Sequence, residues 1–201
     1  IYCLDIDGEL AWKKDLGDMK VKHGHGEGSS PALHGDTVVI NWDHEGDSFA
    51  VALDRHTGKE IWRAARDEVS SWSTPLIIEV AGRPQAVIAA TTRIRSYDLA
   101  TGKVIWECGG LSNNVVASPV AADGFLYAAS SYEFQSMFAI RLKGASGDLT
   151  GTKAVTWKID RHTPYVPSPL LYQGKLFFIR HLQAFLSCLE AKTGTQLFGP
   201  R

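Results

Sequence analysis

The residues of this chain whose types could do chemistry are a few loop histidines, tryptophans and charged groups. His23-Gly-His25, together with His44 and its neighbours Asp43 and Glu45, carries the imidazole and carboxylate donors that suit a transition metal. Glycine beside each of the first two histidines makes a tight, exposed loop with solvated or hydrogen-bonded imidazoles the simpler reading, and no metal ligand is assigned. Trp42 and Trp72 stand beside polar loop residues, where a large rigid ring serves as an anchor for a ligand or partner. Arg93, Asn114, Tyr165 and Arg180, the last followed by His181, add cationic, amide and phenolic groups. No catalytic residue is assigned, because no nucleophile-elbow pattern is present and no Ser-His-Asp or Cys-His pairing follows from the spacing. Cys3, Cys108 and Cys188 form no CxxC pair and are too few for a disulfide framework; Cys3 and Cys188 read as packing residues.

The elements that position these groups come from a repeat. Ala52-Leu-Asp-Arg-His-Thr-Gly-Lys-Glu-Ile-Trp62 and Ser96-Tyr-Asp-Leu-Ala-Thr-Gly-Lys-Val-Ile-Trp106 share Asp, Thr-Gly-Lys, Ile and Trp at identical offsets, 44 residues apart. A third copy runs from Cys188 to Phe198 and a shorter one from Cys3 to Trp12. The least regular runs from Ala139 to Trp157, with Gly144 to Gly151 inserted in its turn. Ser30-Pro31, Thr74-Pro75, Ser118-Pro119 and Ser168-Pro169 recur in the same phase, at spacings of 44, 44 and 50 residues. Each period contains short apolar segments separated by Gly turns and predicts four strands, the pattern of a β-propeller blade. The expected architecture is all-β, with blades at 31–66, 75–108, 119–160 and 169–201 and half a blade at 1–15.

In this frame the repeated residues serve the fold. Trp12, Trp62, Trp106, Trp157 and Phe198 are expected on outer strands, covering the blade edge and stacking on a neighbouring Gly peptide. Asp54 and Asp98 are expected to accept turn N–H bonds, with Gly58 and Gly102 supplying positive φ. Residues that differ between blades fall into two loop families expected on one rim: the loops holding His23, His25, Trp72, Asn114 and Tyr165, and those holding Trp42, His44, Arg93, Tyr132-Glu133 and Arg180. That rim is the expected face for an anionic or sugar-like ligand, or for an extended peptide.

Ala-x-Asp-x-x-Thr-Gly-x-x-x-Trp with Ser-Pro in phase resembles the tryptophan-docking repeat of the quinoprotein-like propellers. That superfamily includes pyrroloquinoline quinone (PQQ) dehydrogenases and BamB-type outer-membrane assembly lipoproteins. The resemblance implies an extracytoplasmic, periplasmic protein with seven or eight blades, so this chain is expected to be part of a larger ring. For the dehydrogenases it implies a vicinal Cys-Cys pair and a calcium held by Glu, Asn and Asp. The sequence has no adjacent cysteines, and Asn113-Asn114 and Glu133 lack an acidic companion at a suitable spacing. The reading is therefore a non-catalytic binding or scaffold module without cofactor, the alternative being a PQQ- and calcium-dependent oxidoreductase.

Composition narrows the partners. Lys plus Arg number 21 against 22 Asp plus Glu, so no basic field suits nucleic acid. No apolar run is long enough to span a membrane. A protein or polymer on the rim is expected, together with self-association or union with the remainder of a ring, since an incomplete arc exposes sheet edges and an apolar face.

Overall fold

The computed structural model describes residues 1–180 and 183–201, so His181 lies outside the described residues. A hairpin of β1 (Tyr2–Leu4) and β2 (Leu10–Lys13) precedes a short 3-10 turn at Lys22–Gly24. The first sheet holds β3 (Ala32–His34), β4 (Thr37–Trp42), β5 (Phe49–Asp54) and β6 (Glu60–Ala65). The second holds β7 (Leu76–Val80), β8 (Arg83–Ile88), β9 (Ile94–Asp98) and β10 (Val104–Cys108). The third holds β11 (Val120–Ala122), β12 (Phe125–Ser130), β13 (Ser136–Arg141) and β15 (Val155–Ile159), with β14 (Gly147–Asp148) intervening in the chain. The fourth holds β16 (Leu170–Tyr172), β17 (Lys175–Arg180), β18 (Phe185–Glu190) and β19 (Gln196–Phe198). Apart from β14, strands pair antiparallel with their chain neighbours, and first strands of adjoining sheets lie together, β3 with β7 and β11 with β16. Among the described residues no helix is long and apolar enough to cross a membrane.

Local chemistry explains this order. Ala81-Gly82, Asp123-Gly124 and Gln173-Gly174 have positive φ at both positions, the backbone of a two-residue type I′ hairpin turn whose twist matches the strands it joins. The Ser/Thr-Pro marker makes a relay between sheets: Ser30 N donates to Thr74 Oγ1 (3.1 Å), Thr74 N to Ser118 Oγ (3.0 Å) and Ser118 N to Ser168 Oγ (3.0 Å). In the Asp turns, Asp54 Oδ1 accepts from the Thr57 N–H (2.8 Å) and hydroxyl (2.7 Å), and Asp98 Oδ1 accepts likewise from Thr101 (2.9 and 2.7 Å). Hydrogen bonds of this kind, led by the threonine hydroxyls, hold both carboxyls below their ordinary range.

Tryptophan docking joins one unit to the next. Trp12 Nε1 donates to Arg55 O (2.7 Å), Trp62 Nε1 to Leu99 O (2.8 Å) and Trp157 Nε1 to Ala191 O (2.8 Å). Each ring lies on the next unit's turn glycine, Gly58, Gly102 or Gly194, so closely that an added Cβ would come within 2.5 to 2.7 Å of it. Trp106 departs from the expected docking. The corresponding turn is lengthened by residues 144–151, and Gly144 has nothing within 4 Å of an added Cβ. Trp106 Nε1 instead donates to Gln85 Oε1 (3.3 Å) in its own sheet. The insertion folds back as β14 and pairs parallel with β10, Trp106 opposite Gly147, making a fifth strand on the second sheet. Phe198 packs beside Phe177 within its own sheet, ring centroids 6.3 Å apart.

Successive sheets bury apolar faces against one another. Val39, Ala50, Ala52 and Trp62 meet Ala86, Ile88, Tyr97 and Leu99, and Tyr127, Ala129 and Met137 meet Leu176, Phe178 and Leu189. In the fourth sheet, Ile179 and Leu186 occupy the register positions of Ala129 and Met137 but are 43% and 39% exposed.

Candidate functional site

The chain's first residues, Ile1 and Tyr2, the last residues of β4 and the loops entering the first and second sheets line an open cavity of about 310 Å³. Its wall includes Met19, Val21, Ile40, Asn41, Trp42 and Trp72. Trp42 is the final residue of β4 rather than a loop residue, and its ring stacks on that of Phe49, its cross-strand partner, at 5.9 Å. Trp72 is fixed by Nε1 donating to Gly26 O (2.9 Å) and by close packing on Gly28, where an added Cβ would lie 2.8 Å from the indole. His25 lies beside it, ring centroids 6.2 Å apart.

A buried ionic network stands behind the cavity. Arg66 grips Asp43 with two N–H groups, Nε to Oδ1 at 2.7 Å and Nη2 to Oδ2 at 3.0 Å, and neither side chain has any exposure. Such a pair is costly to bury but holds geometry firmly once its remaining atoms are bonded. Ser71 Oγ donates to Asp43 Oδ2 (2.7 Å), and Asn41 Nδ2 donates to Ser71 Oγ (3.1 Å) and Ser73 O (3.4 Å). A second network begins at Glu68, which accepts from Thr92 N (2.7 Å), Arg93 N (3.0 Å) and Arg95 Nη1 (2.9 Å). Burial pushes the Glu68 carboxyl above its ordinary range, against the pull of Arg66 and these donors.

Trp42 and Trp72 thus line one cavity with His25 beside Trp72, and the other residues expected on the rim are not part of its lining. His44 is buried, its Nδ1 accepting from Lys20 N (3.1 Å) and its ring covered by Gly46, so it is no part of an exposed surface. Asn114 is also buried, in a left-handed conformation with φ 54°. Arg93 is held by Asp148 (2.9 Å) and Glu107 (3.3 Å), and Arg180 lies 3.3 Å from His162 Nδ1. Tyr165 pairs with Tyr132, ring centroids 5.7 Å apart. His23 is exposed and lies 5.6 Å, ring to ring, from His25. Among the described residues no three His, Cys, Asp or Glu side chains gather as a metal site. Burial raises the Cys108 thiol to about 11, which keeps it protonated and unreactive.

Asn41 is the site residue that the repeat could have revealed. Its positional equivalents are Ala89, Ala129 and Ile179, so an amide there breaks an otherwise apolar position.

Four-stranded sheets stacked face to face, joined by tryptophan docking and carrying their irregular residues on the loops, define a β-propeller. The chain belongs to the family described as outer membrane protein assembly factor BamB, whose model matches residues 1–198. BamB from Moraxella catarrhalis is similar in structure, with a TM-score of 0.68 at 16% identity, over 95% of this chain and 54% of that one. Quinohemoprotein alcohol dehydrogenase from Comamonas testosteroni is similar too, with a TM-score of 0.67 at 14% identity, over 94% of this chain and 36% of that one. So is a europium-containing methanol dehydrogenase, with a TM-score of 0.63 at 14% identity, over 94% of this chain and 45% of that one. The chain therefore spans about half the length of that BamB or less of each relative. No curated protein matches it in sequence.

Proposed function

We propose that this chain is a non-catalytic propeller segment that binds a polypeptide through its loop rim, acting as a scaffold outside the cytoplasm. One observation carries the reading: the imidazole and carboxylates of the Asp43, His44 and Glu45 run are spent on structure. Asp43 is saturated by Arg66 and Ser71, His44 accepts from backbone, and Glu45 accepts from Ser70 N and Oγ (3.2 and 2.8 Å). What remains is an aromatic and apolar recess of the kind that receives side chains. Membership of a family described as an outer-membrane assembly factor agrees with a protein partner and an extracytoplasmic place.

The second reading, a segment of a PQQ-dependent oxidoreductase, is favoured by the similarity in fold to the two dehydrogenases. The donor set argues against a quinone with calcium. Cys3, Cys108 and Cys188 stand on strands of three different sheets, the Asn114 side chain is buried, its Oδ1 included, and Glu133 is exposed. Reconstitution with PQQ and calcium, followed by absorbance and dye-reduction assays over alcohols and sugars, separates the two. The binding reading expects no retained quinone and no dye reduction; a stoichiometric quinone spectrum overturns it.

A further inference from the structure

At the end of the sheets opposite the rim the repeat is broken twice, and both departures border one groove. In the hairpins β3–β4, β11–β12 and β16–β17 the first strand holds three residues before a two-residue turn, whereas β7 holds five. Every first strand starts directly after a Ser/Thr-Pro marker, so the tip of β7–β8 projects two residues beyond its neighbours, about 7 Å. The second departure is the turn lengthened by residues 144–151. Between the two lies an open groove of about 640 Å³, lined along one side by all of β7 and along the other by residues 121–124 and 142–144. Its walls come from the second and third sheets alone, in the middle of the chain.

β7 is the edge of its sheet, whose strand order ends with β8 and β7. Val80 and Arg83 flank the two-residue turn and form a hydrogen-bonded pair. Alternation therefore turns the N–H and C=O groups of Leu76, Ile78 and Val80 toward β8, and those of Ile77 and Glu79 outward. Pro84, opposite Glu79, fixes the same phase, because its carbonyl faces away from β7 and accepts from Leu99 N (3.1 Å). Among the described residues no backbone group of Ile77 or Glu79 is bonded. The same alternation leaves β3, β11 and β16 one outward residue each, Leu33, Ala121 and Leu171. β7 alone of the four offers two in succession, enough to set the register of an added strand.

Edges of this kind take up strands. The side chains of Leu76, Ile78 and Val80 share one face, packed toward the third sheet, so a strand added in phase would set alternate side chains over the groove beside Ala121 and Leu142. Those side chains must be apolar. The other face of the added strand passes Glu79, which is exposed and has no ion pair among the described residues, and a cation is favoured across from it. A short unstructured peptide would lose backbone freedom at every residue for a few exposed hydrogen bonds, whereas a strand already held in a hairpin loses little more.

We infer that β7 pairs with the outer strand of a β-hairpin presented by a partner polypeptide, with apolar side chains over the groove and a lysine or arginine beside Glu79. This second binding surface shares no lining residue with the rim cavity and does not rest on the rim reading.

The probe is a backbone-cyclised hairpin peptide in which one strand alternates valine with lysine. Its comparison carries N-methyl groups on the outward amides of that strand, which block edge pairing and leave the hairpin's own bonds intact. In NMR titrations of the whole chain the parent is expected to bind about tenfold more tightly than the N-methylated hairpin, the worth of one to two hydrogen bonds. It should also slow hydrogen exchange at the Ile77 and Glu79 amides, and neither readout depends on a variant folding. Glu79→Pro removes an outward N–H that bonds nothing in the fold, a change an edge strand tolerates, and should weaken the parent about tenfold. Trp72→Ala should leave its binding unchanged. Equal binding of the two hairpins, binding of neither, unslowed exchange at Ile77 and Glu79 under saturation, or loss of binding in Trp72→Ala overturns the assignment. Such a failure leaves the rim reading standing, and failure of the rim with hairpin pairing intact removes the rim reading alone.

Discussion

The contact between Trp62 and Gly102 allows the docking mechanism to be tested quantitatively. Gly102 has φ 70°, and an added Cβ would lie 2.6 Å from Trp62 Cδ2 and 2.7 Å from Cε3. Gly102→Ala carries two penalties: a left-handed backbone for an L-residue, about 1–2 kcal/mol, and forced displacement of a packed ring, about 1–3 kcal/mol. Trp62 is 8% exposed, so Trp62→Ala alone should cost about 3–5 kcal/mol. Once the indole is gone, Gly102→Ala has no ring to displace and only the backbone penalty remains. The two changes are therefore expected to be non-additive by about 1–3 kcal/mol. Urea unfolding of the four proteins at a common m-value measures this directly. Gly144→Ala is the control, since Gly144 has φ 77° and open space around it, and should cost only the backbone term. If Gly102→Ala costs the same with and without Trp62, or no more than Gly144→Ala, the docking account is wrong.

Three further outcomes follow from the same structure. Trp106→Ala, removing a ring 1% exposed, should cost about 3–5 kcal/mol although that ring stacks on no turn glycine; an unchanged thermal melt would refute its place in the core. The Asp98 carboxyl is depressed by Thr101 and Arg83, so its contribution is complete above the unfolded carboxylate value near 4 and lost as pH falls through the lower folded value; Asp98→Asn should flatten the acid limb of the stability curve, and an unaltered limb would contradict this. The exposed face bearing Leu170, Ile179 and Leu186 should drive association at high concentration, reduced by Leu170→Ser with Ile179→Ser; a strict monomer by light scattering would count against it.

The fold was legible because its signals are local and repeated. Thr-Gly turns, Ala-Gly and Asp-Gly hairpins and in-phase Ser/Thr-Pro each act within one period, and four repetitions make the pattern unmistakable. The fate of residues 144–151 was not legible, because β14 pairs with β10 of the preceding sheet and backbone pairing at a distance leaves no periodic trace. The ties that hold Arg93 and His44 were not legible for a related reason. Each is tied down by partners remote in sequence, Asp148 and Glu107 for Arg93 and the Lys20 amide for His44. Asn41 carried a signal of another kind, a polar residue at a position filled elsewhere by Ala89, Ala129 and Ile179, and it emerges only when blades are compared position by position.

The central claim, that the rim around Trp42 and Trp72 binds polypeptide, is met most directly by selecting binders from a random displayed-peptide library. The selected peptides are then measured against Trp42→Ala, Trp72→Ala and Leu33→Ser. Leu33 is exposed on β3, next to the hairpin turn and away from the rim cavity. The expected peptides lose at least tenfold in binding to both tryptophan variants and bind Leu33→Ser unchanged. Peptides that bind the tryptophan variants as tightly as the unaltered chain would contradict it.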